Sequence, residues 1–199
     1  MRKVRNSVHK ISRLIILALA ILLLASCARN AQSAEELAQE IREELLNASR
    51  LIIGADITAD YGDRVYNFTI RYTGNAESGD ISVLAPEQIA GIVAEVTLEN
   101  LVLVFDGARL DTGALTRGGL SPVGALPVLI SQWQSGSIES VGRETLNGVD
   151  TVTIVTVIDE SASQKTWFDA RTHLPIRAEI SENGRMVVRC LFNNVVIEA

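Results

Sequence analysis

Period-two alternation, cut into short lengths by Asx-Gly pairs, constrains this chain more than any other feature. Leu51, Ile53, Ala55 and Ile57 alternate along one stretch, and Tyr66, Phe68, Ile70 and Tyr72 alternate with Asn67, Thr69 and Arg71 along the next. Ile81, Val83 and Ala85 continue the pattern, Leu101 to Phe105 is a continuous apolar run, and 151–158 is β-branched at every position. Ile176, Ala178 and Ile180 alternate with Arg177 and Glu179, and Met186 to Ile197 closes the series. An alternation of two with β-branched and aromatic residues specifies strands. Between them stand Asp60-Tyr61-Gly62-Asp63, Asp106-Gly107, Asn147-Gly148 and Asn183-Gly184. These residues tolerate positive φ in tight hairpin turns. Strands joined so briefly are antiparallel neighbours, so the expectation is a meander of about eight strands.

Three segments read as helical. Ser33-Ala34-Glu35-Glu36 fits a capping box with Ser33 as N-cap. A helix over about 34–48 follows, with Leu37, Ile41, Leu45 and Ala48 on one apolar stripe and Glu35, Glu40, Glu43 and Glu44 on the other faces. Pro86 to about Ile92 reads as a short helix. Ser121-Pro122 opens a further helical region that restarts at Pro127 and runs to about Gln134, with Gly136 behind it. One long helix beside a strongly twisted antiparallel sheet gives an α+β domain in which the sheet curls around helices.

The first part of the chain carries a different signal. Arg2, Lys3, Arg5, Lys10 and Arg13 precede Leu14–Leu24, in which every residue is Leu, Ile or Ala. A membrane-spanning helix needs about 20 apolar residues, so this run has the proportions of a secretory signal. It ends in Leu24-Ala25-Ser26-Cys27, which resembles the lipobox of bacterial lipoproteins. The resemblance implies a diacylglyceryl group (with a palmitate-type acyl chain) on Cys27 and cleavage before it. The division is then a signal peptide over 1–26, a lipidated tether over 27–33 and one domain over 34–199. The implied place is extracytoplasmic, anchored to the cell membrane, or to an outer membrane where the envelope has one.

Loss of those five cations would take the formal net charge from −6 to −11. Such an acidic domain lacks the clustered Lys and Arg that nucleic acid requires, and anionic lipid repels it, so the acyl chains hold it at the bilayer. Only Cys190 remains besides Cys27. With the Cys27 sulfur in a thioether no intramolecular disulfide forms, and Cys190, inside an apolar strand, reads as a small buried hydrophobe.

The segment Trp167-Phe168-Asp169-Ala170-Arg171-Thr172-His173-Leu174-Pro175-Ile176-Arg177-Ala178-Glu179, with the close Phe192-Asn193-Asn194-Val195, resembles the LolA/LolB-type lipoprotein-carrier superfamily. The likeness is strongest over 140–199. It implies an open half-barrel, a curled antiparallel sheet wrapped over the N-terminal helix and short helices. In that family the space between sheet and helices shelters acyl chains. Tyr66, Phe68, Ile70, Tyr72, Leu101, Leu103 and Phe105 are the candidates for its concave lining, and Trp133 for a lid or core residue. Cys27 is the lipidation site. An anchored chain departs from the diffusing carrier and is closer to the family's acceptor or to lipid-anchored relatives such as a clostridial germination lipoprotein. The residue after Cys27 is Ala28, so no Asp stands there as an inner-membrane retention signal.

No catalytic constellation is visible. His173 is the one His after the leader and falls in a turn, with no placed partners for a triad. There is no zinc spacing, Asp56, Asp60 and Asp63 lack the closing Glu of a calcium loop, and Arg117-Gly118-Gly119-Leu120 lacks the Lys of a phosphate loop. The expectation is a non-enzyme without metal or cofactor beyond its covalent lipid. Two functions fit: a module that binds acyl chains or lipoproteins at the membrane surface, and a tethered scaffold that binds and regulates an envelope enzyme.

Overall fold

A computed structural model describes residues 32–75, 78–97, 100–111 and 122–199. The leader, Cys27 and the tether up to residue 31 lie outside them. Helix α1 (Ala34–Asn47) buries Leu37, Ala38, Ile41 and Leu45, the four-four spacing read as an apolar stripe. The strands are β1 (Arg50–Asp60), β2 (Val65–Gly74), β3 (Ser78–Ala85), β4 (Val93–Thr97), β5 (Leu101–Phe105) and β6 (Ala108–Asp111). Helix α2 (Pro122–Ser135) comes next, followed by β7 (Ser137–Leu146), β8 (Val149–Val157), β9 (Ala162–Asp169), β10 (Pro175–Glu182) and β11 (Arg185–Glu198).

The described strands form one antiparallel sheet in the order β6-β5-β4-β3-β2-β1-β11-β10-β9-β8-β7. The first and last strands pair at its centre, with Ile57 opposite Cys190 and Ala55 opposite Phe192. The two edges, β6 and β7, are the two strands that the segment carrying α2 connects in sequence. The sheet is curled and unclosed, the half-barrel that the alternation and the family likeness imply.

The hairpins take the geometry that their sequences dictate. Asp106 and Gly107, Asn147 and Gly148, and Asn183 and Gly184 all have positive φ at both central positions, the two-residue turn whose twist matches paired strands. At the β1–β2 turn the Gly62 N–H donates to Asp60 Oδ1 at 2.7 Å. Asp169 caps the β9–β10 turn, accepting from the N–H groups of Arg171 and Thr172 at 2.8 and 3.1 Å.

The fold differs from the reading of the sequence in three respects. Eleven strands form rather than about eight, because β4, β6 and β7 add to the meander. β6 has four residues, too few to show a period. β7 is an edge strand with most of its side chains exposed on both faces, so no buried face imposes an apolar alternation. The Pro86 segment forms only a 3-10 turn over Glu87–Ile89 after a cis Ala85–Pro86 bond. Finally, α2 does not restart at Pro127. It is continuous from Pro122, with Pro127 inside it, at the expense of one backbone hydrogen bond.

Alternation sends one face of each central strand inward. Leu51, Ile53, Ala55, Ile57 and Ala59 of β1 are all buried, as are Ile70 and Tyr72 of β2, Ile81 and Val83 of β3, and Val188 and Cys190 of β11. Both helices contribute to this core, α2 with Ala125, Leu126, Leu129, Ile130 and Trp133. Gln134 of α2 donates to the Leu45 carbonyl of α1 at 3.1 Å, and Arg42 donates to the Gly136 carbonyl at 2.7 Å, tying the two helices where their ends meet.

Candidate functional site

The concave surface divides into a closed part and an open part. In the closed part, Trp133 of α2 stands edge-on to Phe168 and Phe192, with ring centroids 5.6 and 5.4 Å away. Its indole N–H donates to Thr166 Oγ1 at 2.9 Å, and the Gln164 amide donates to the same oxygen at 3.2 Å. Thr156, Gln164 and Thr166 are almost wholly buried, a polar cluster within an apolar interior. Trp133 is thus fixed by shape and by its one polar handle. Cys190 lies in the same interior, where burial pushes its thiol up to about 12. It stays a neutral thiol at physiological pH, without the thiolate that nucleophilic chemistry needs.

The open part belongs to β2 and to β4–β6. Cross-strand register places Tyr66, Phe68, Ile70 and Tyr72 opposite Ala59, Ile57, Ala55 and Ile53, on the core face. Their burial falls off along the strand. Ile70 and Tyr72 are buried, Phe68 is half-buried, and Tyr66 is 39% exposed. Leu101 and Leu103 of β5 are half-buried against the core, whereas Phe105 at the strand end is 51% exposed and Leu110 of β6, opposite Leu103, is 61% exposed. Tyr61, Tyr66 and Phe68 form a ladder with successive centroid distances of 5.9 and 6.4 Å.

Of these side chains, Tyr61, Tyr66 and Phe105 lie at one rim of the sheet, the rim of the β1–β2, β3–β4, β5–β6, β8–β9 and β10–β11 connections, whereas Tyr72 and Leu101 lie towards the opposite rim, beside the β2–β3 and β4–β5 connections. Among the described residues eleven large apolar side chains are more than a third exposed, and seven lie towards the first rim: Tyr66, Phe105 and Ile138 on the inner face, Val65, Leu84 and Val157 on the outer face by strand alternation, and Tyr61 in the turn between β1 and β2. Of these, Tyr61 touches Tyr66, which touches the half-buried Phe68 in the aromatic ladder, and apolar side chains that adjoin at a surface are the kind that mark a contact site. Burial, with the neighbouring Tyr66 adding to it, raises the Tyr61 phenol, so the rim stays uncharged there. A hydrogen bond from Arg64 reaches Tyr66 and raises the guanidinium further, placing one cation among the aromatics.

The structure thus brings Tyr66, Phe68, Leu101, Leu103 and Phe105 to the open concave surface and sets Ile70, Tyr72 and Trp133 deeper, in the packed core. Tyr72 also has a task that the alternation alone does not disclose. Its hydroxyl donates to the Asn75 carbonyl at 2.8 Å and bridges the β2–β3 turn. Burial, reinforced by the Asp80 charge, pushes it up to about 12. Sequence reasoning passed over Tyr61, Val65, Leu84, Leu110, Ile138 and Val157. The available signal was position, since Tyr61 and Val65 flank a hairpin turn where polar residues are the rule.

On the outer face of β7–β11 the pattern is ionic. The Trp167 ring lies under Lys165 Nζ at 4.5 Å and the Arg177 guanidinium at 4.9 Å, and its indole N–H donates to Glu144 at 2.8 Å. Lys165 also pairs with Glu144, while Glu179 pairs with both Arg177 and Arg189. Burial raises the Glu179 carboxyl, but the hydrogen bonds from Arg177 and Arg189 outweigh it and hold the group below the usual carboxylate range.

No helix among the described residues is long and apolar enough to cross a membrane. No protein-family model matches the sequence, and no curated protein matches it. The fold has solved counterparts. An uncharacterised conserved protein of Thermus thermophilus superposes with a TM-score of 0.53 at 10% identity, over 83% of this chain and 88% of that one. A DUF1329 family protein of Desulfovibrio piger gives 0.51 at 11% identity, over 83% and 92%. A domain of Vibrio parahaemolyticus named for outer membrane lipoprotein sorting gives 0.51 at 10% identity, over 84% and 94%. Identities this low speak to architecture alone. The chain shares the fold of these three structures, an open curled sheet over two helices among the described residues.

Proposed function

We propose that the chain is an extracytoplasmic lipoprotein, anchored through a lipid on Cys27, whose LolA/LolB-like domain binds acyl chains or acylated protein at the membrane surface. The observation that carries this reading is the aromatic ladder of Tyr61, Tyr66 and Phe68 at the open end of the concave face, with Leu103, Phe105 and Leu110 left part-exposed on the inner face of β5 and β6. Acyl-chain binding needs no reactive group, only a dry apolar surface that the protein's own side chains leave unfilled. The likeness to a lipoprotein-sorting domain supports the same reading.

The test uses the full chain carrying Cys27→Ala, so that its own lipid is not mistaken for cargo. Native mass spectrometry after detergent-free isolation is expected to retain fatty acyl ligands. Tyr66→Asp with Phe105→Asp is expected to empty the protein while leaving its thermal midpoint within a few degrees, because both side chains are exposed. An empty parent protein that also ignores added fatty acid contradicts the proposal.

A second reading, a tethered scaffold for an envelope enzyme, is favoured by β7, an exposed ten-residue edge strand of the kind that accepts a partner strand. Crosslinking in intact cells from positions in β7 is expected to recover one dominant partner under that reading, and none if the edge is idle.

A further inference from the structure

At the rim opposite the apolar one, α1 and the turn after β9 enclose a groove of about 560 Å³. Leu174 and Ile197 are among its lining, and Glu40, Glu43, Glu44 and Asn47 of α1 make one wall. Spacing puts these four on a single flank of the helix, beside the stripe that faces the core. His173, held at a φ of 59° in the turn, sets its Nδ1 2.8 Å from Glu44 Oε1 and so fixes the distance between the two walls.

The wall runs against local helix physics. Glu40 and Glu44 are one turn apart with like charge, as are Glu40 and Glu43, and such pairs disfavour a helix. They also occupy the half of α1 that ends in the negative pole of its dipole, where cations are favoured, and the last turn holds no basic residue. Arg42 is on the other flank, committed to the Gly136 carbonyl. A local conflict of this kind, gathered on the wall of a groove, points to the groove as a site.

We propose that this groove docks a basic segment of a partner protein, in which Lys or Arg alternate with Leu- or Val-like side chains. The carboxylate wall selects the cations, and Leu174 with Ile197 receives the apolar side chain between them. Anionic lipid is repelled by the wall. A bare metal ion is disfavoured because no group of three acidic, Cys or His side chains converges among the described residues. The inference does not depend on the lipid-binding reading, because the groove and the apolar patch are at opposite rims.

The probe is the peptide acetyl-Lys-Leu-Arg-Val-Lys-Leu-amide, titrated calorimetrically into the full chain carrying Cys27→Ala. Binding is expected to weaken at least fivefold between 50 and 300 mM salt, as a surface charge contact does when screened. Glu43→Lys is expected to weaken it about tenfold and Leu174→Ser about threefold. Glu43→Lys relieves like-charge and dipole strain, so its thermal midpoint is expected to hold or rise by about 1–3 °C. Affinity lost without stability lost therefore reports the site and not unfolding. Three results overturn the proposal: no binding at millimolar peptide, equal binding to Glu43→Lys, or equal binding of a peptide with Ser in place of its apolar residues.

Discussion

The β8–β10 side of the sheet and the β4–β6 side are built from the same alternation and end in opposite conditions. On β8–β10 the inner residues Val152, Phe168, Ala178 and Ile180 are sealed beneath the helices, and the outer face is a linked set of ions around Trp167. On β4–β6 the strands have five, five and four residues, and the inner side chains pass from buried Ala94 through half-buried Leu103 to exposed Leu110. One side is a wall that holds shape, and the other is apolar surface left for something else to cover. The difference teaches that the alternation makes the sheet, while the helices decide which part of it is structure and which part is available for binding.

Substitutions can break or sharpen this contrast. Trp133→Ala removes the ring that Phe168 and Phe192 pack against and is expected to cost about 3–5 kcal/mol in denaturant unfolding. Thr166→Val leaves the Trp133 indole and the Gln164 amide without their shared acceptor, at an expected cost of about 1–3 kcal/mol.

Glu179→Gln is expected to cost about 1–2 kcal/mol near neutral pH, since charge-assisted hydrogen bonds from two arginines are weakened. Its pH dependence has a definite sign. The folded carboxyl titrates below the ordinary value of about 4.3, so its contribution is present above that value and is lost as pH falls through the folded one. Thermal midpoints of Glu179→Gln and the parent should converge as pH is lowered from 7 towards 3. At the small end, Tyr66→Ser and Phe105→Ser are expected to stay within about 0.5 kcal/mol of the parent while lowering lipid retention. If Phe105→Ser destabilises as much as Trp133→Ala, the two sides are the same kind of structure and the contrast fails.

Much of the fold was legible because local chemistry and global placement agree. The Asn147-Gly148 and Asn183-Gly184 pairs name their turn, and the turn makes neighbours of the strands on either side. Asp169 announced the turn that it caps. The missing strands were β7, without a buried face, β6, without length, and β4, whose inward pair is only Ala94 and Val96, too short an alternation to show a period. The candidate binding surface was half legible. Alternation located the inward face of β2, but it says nothing about where α2 stops covering that face. Tyr66 and Tyr72 are therefore alike in sequence and different in the fold, one at an open rim and the other buried with its hydroxyl on Asn75. Val65 stands next to inward Tyr66 and Leu84 next to inward Val83, so the alternation turns both outward, and only the degree of their exposure depends on the assembled sheet.

The central claim is that acyl chains lie against the open concave surface of β2 and β5. It is tested most directly by binding a spin-labelled fatty acid to the full chain carrying Cys27→Ala and mapping paramagnetic broadening of aromatic and methyl signals. The account predicts broadening at Tyr66, Phe68, Leu103 and Phe105, with the signals of Phe168 and Ile180 remaining sharp. Broadening centred on the outer face at Leu191, or none at saturating ligand, would contradict it.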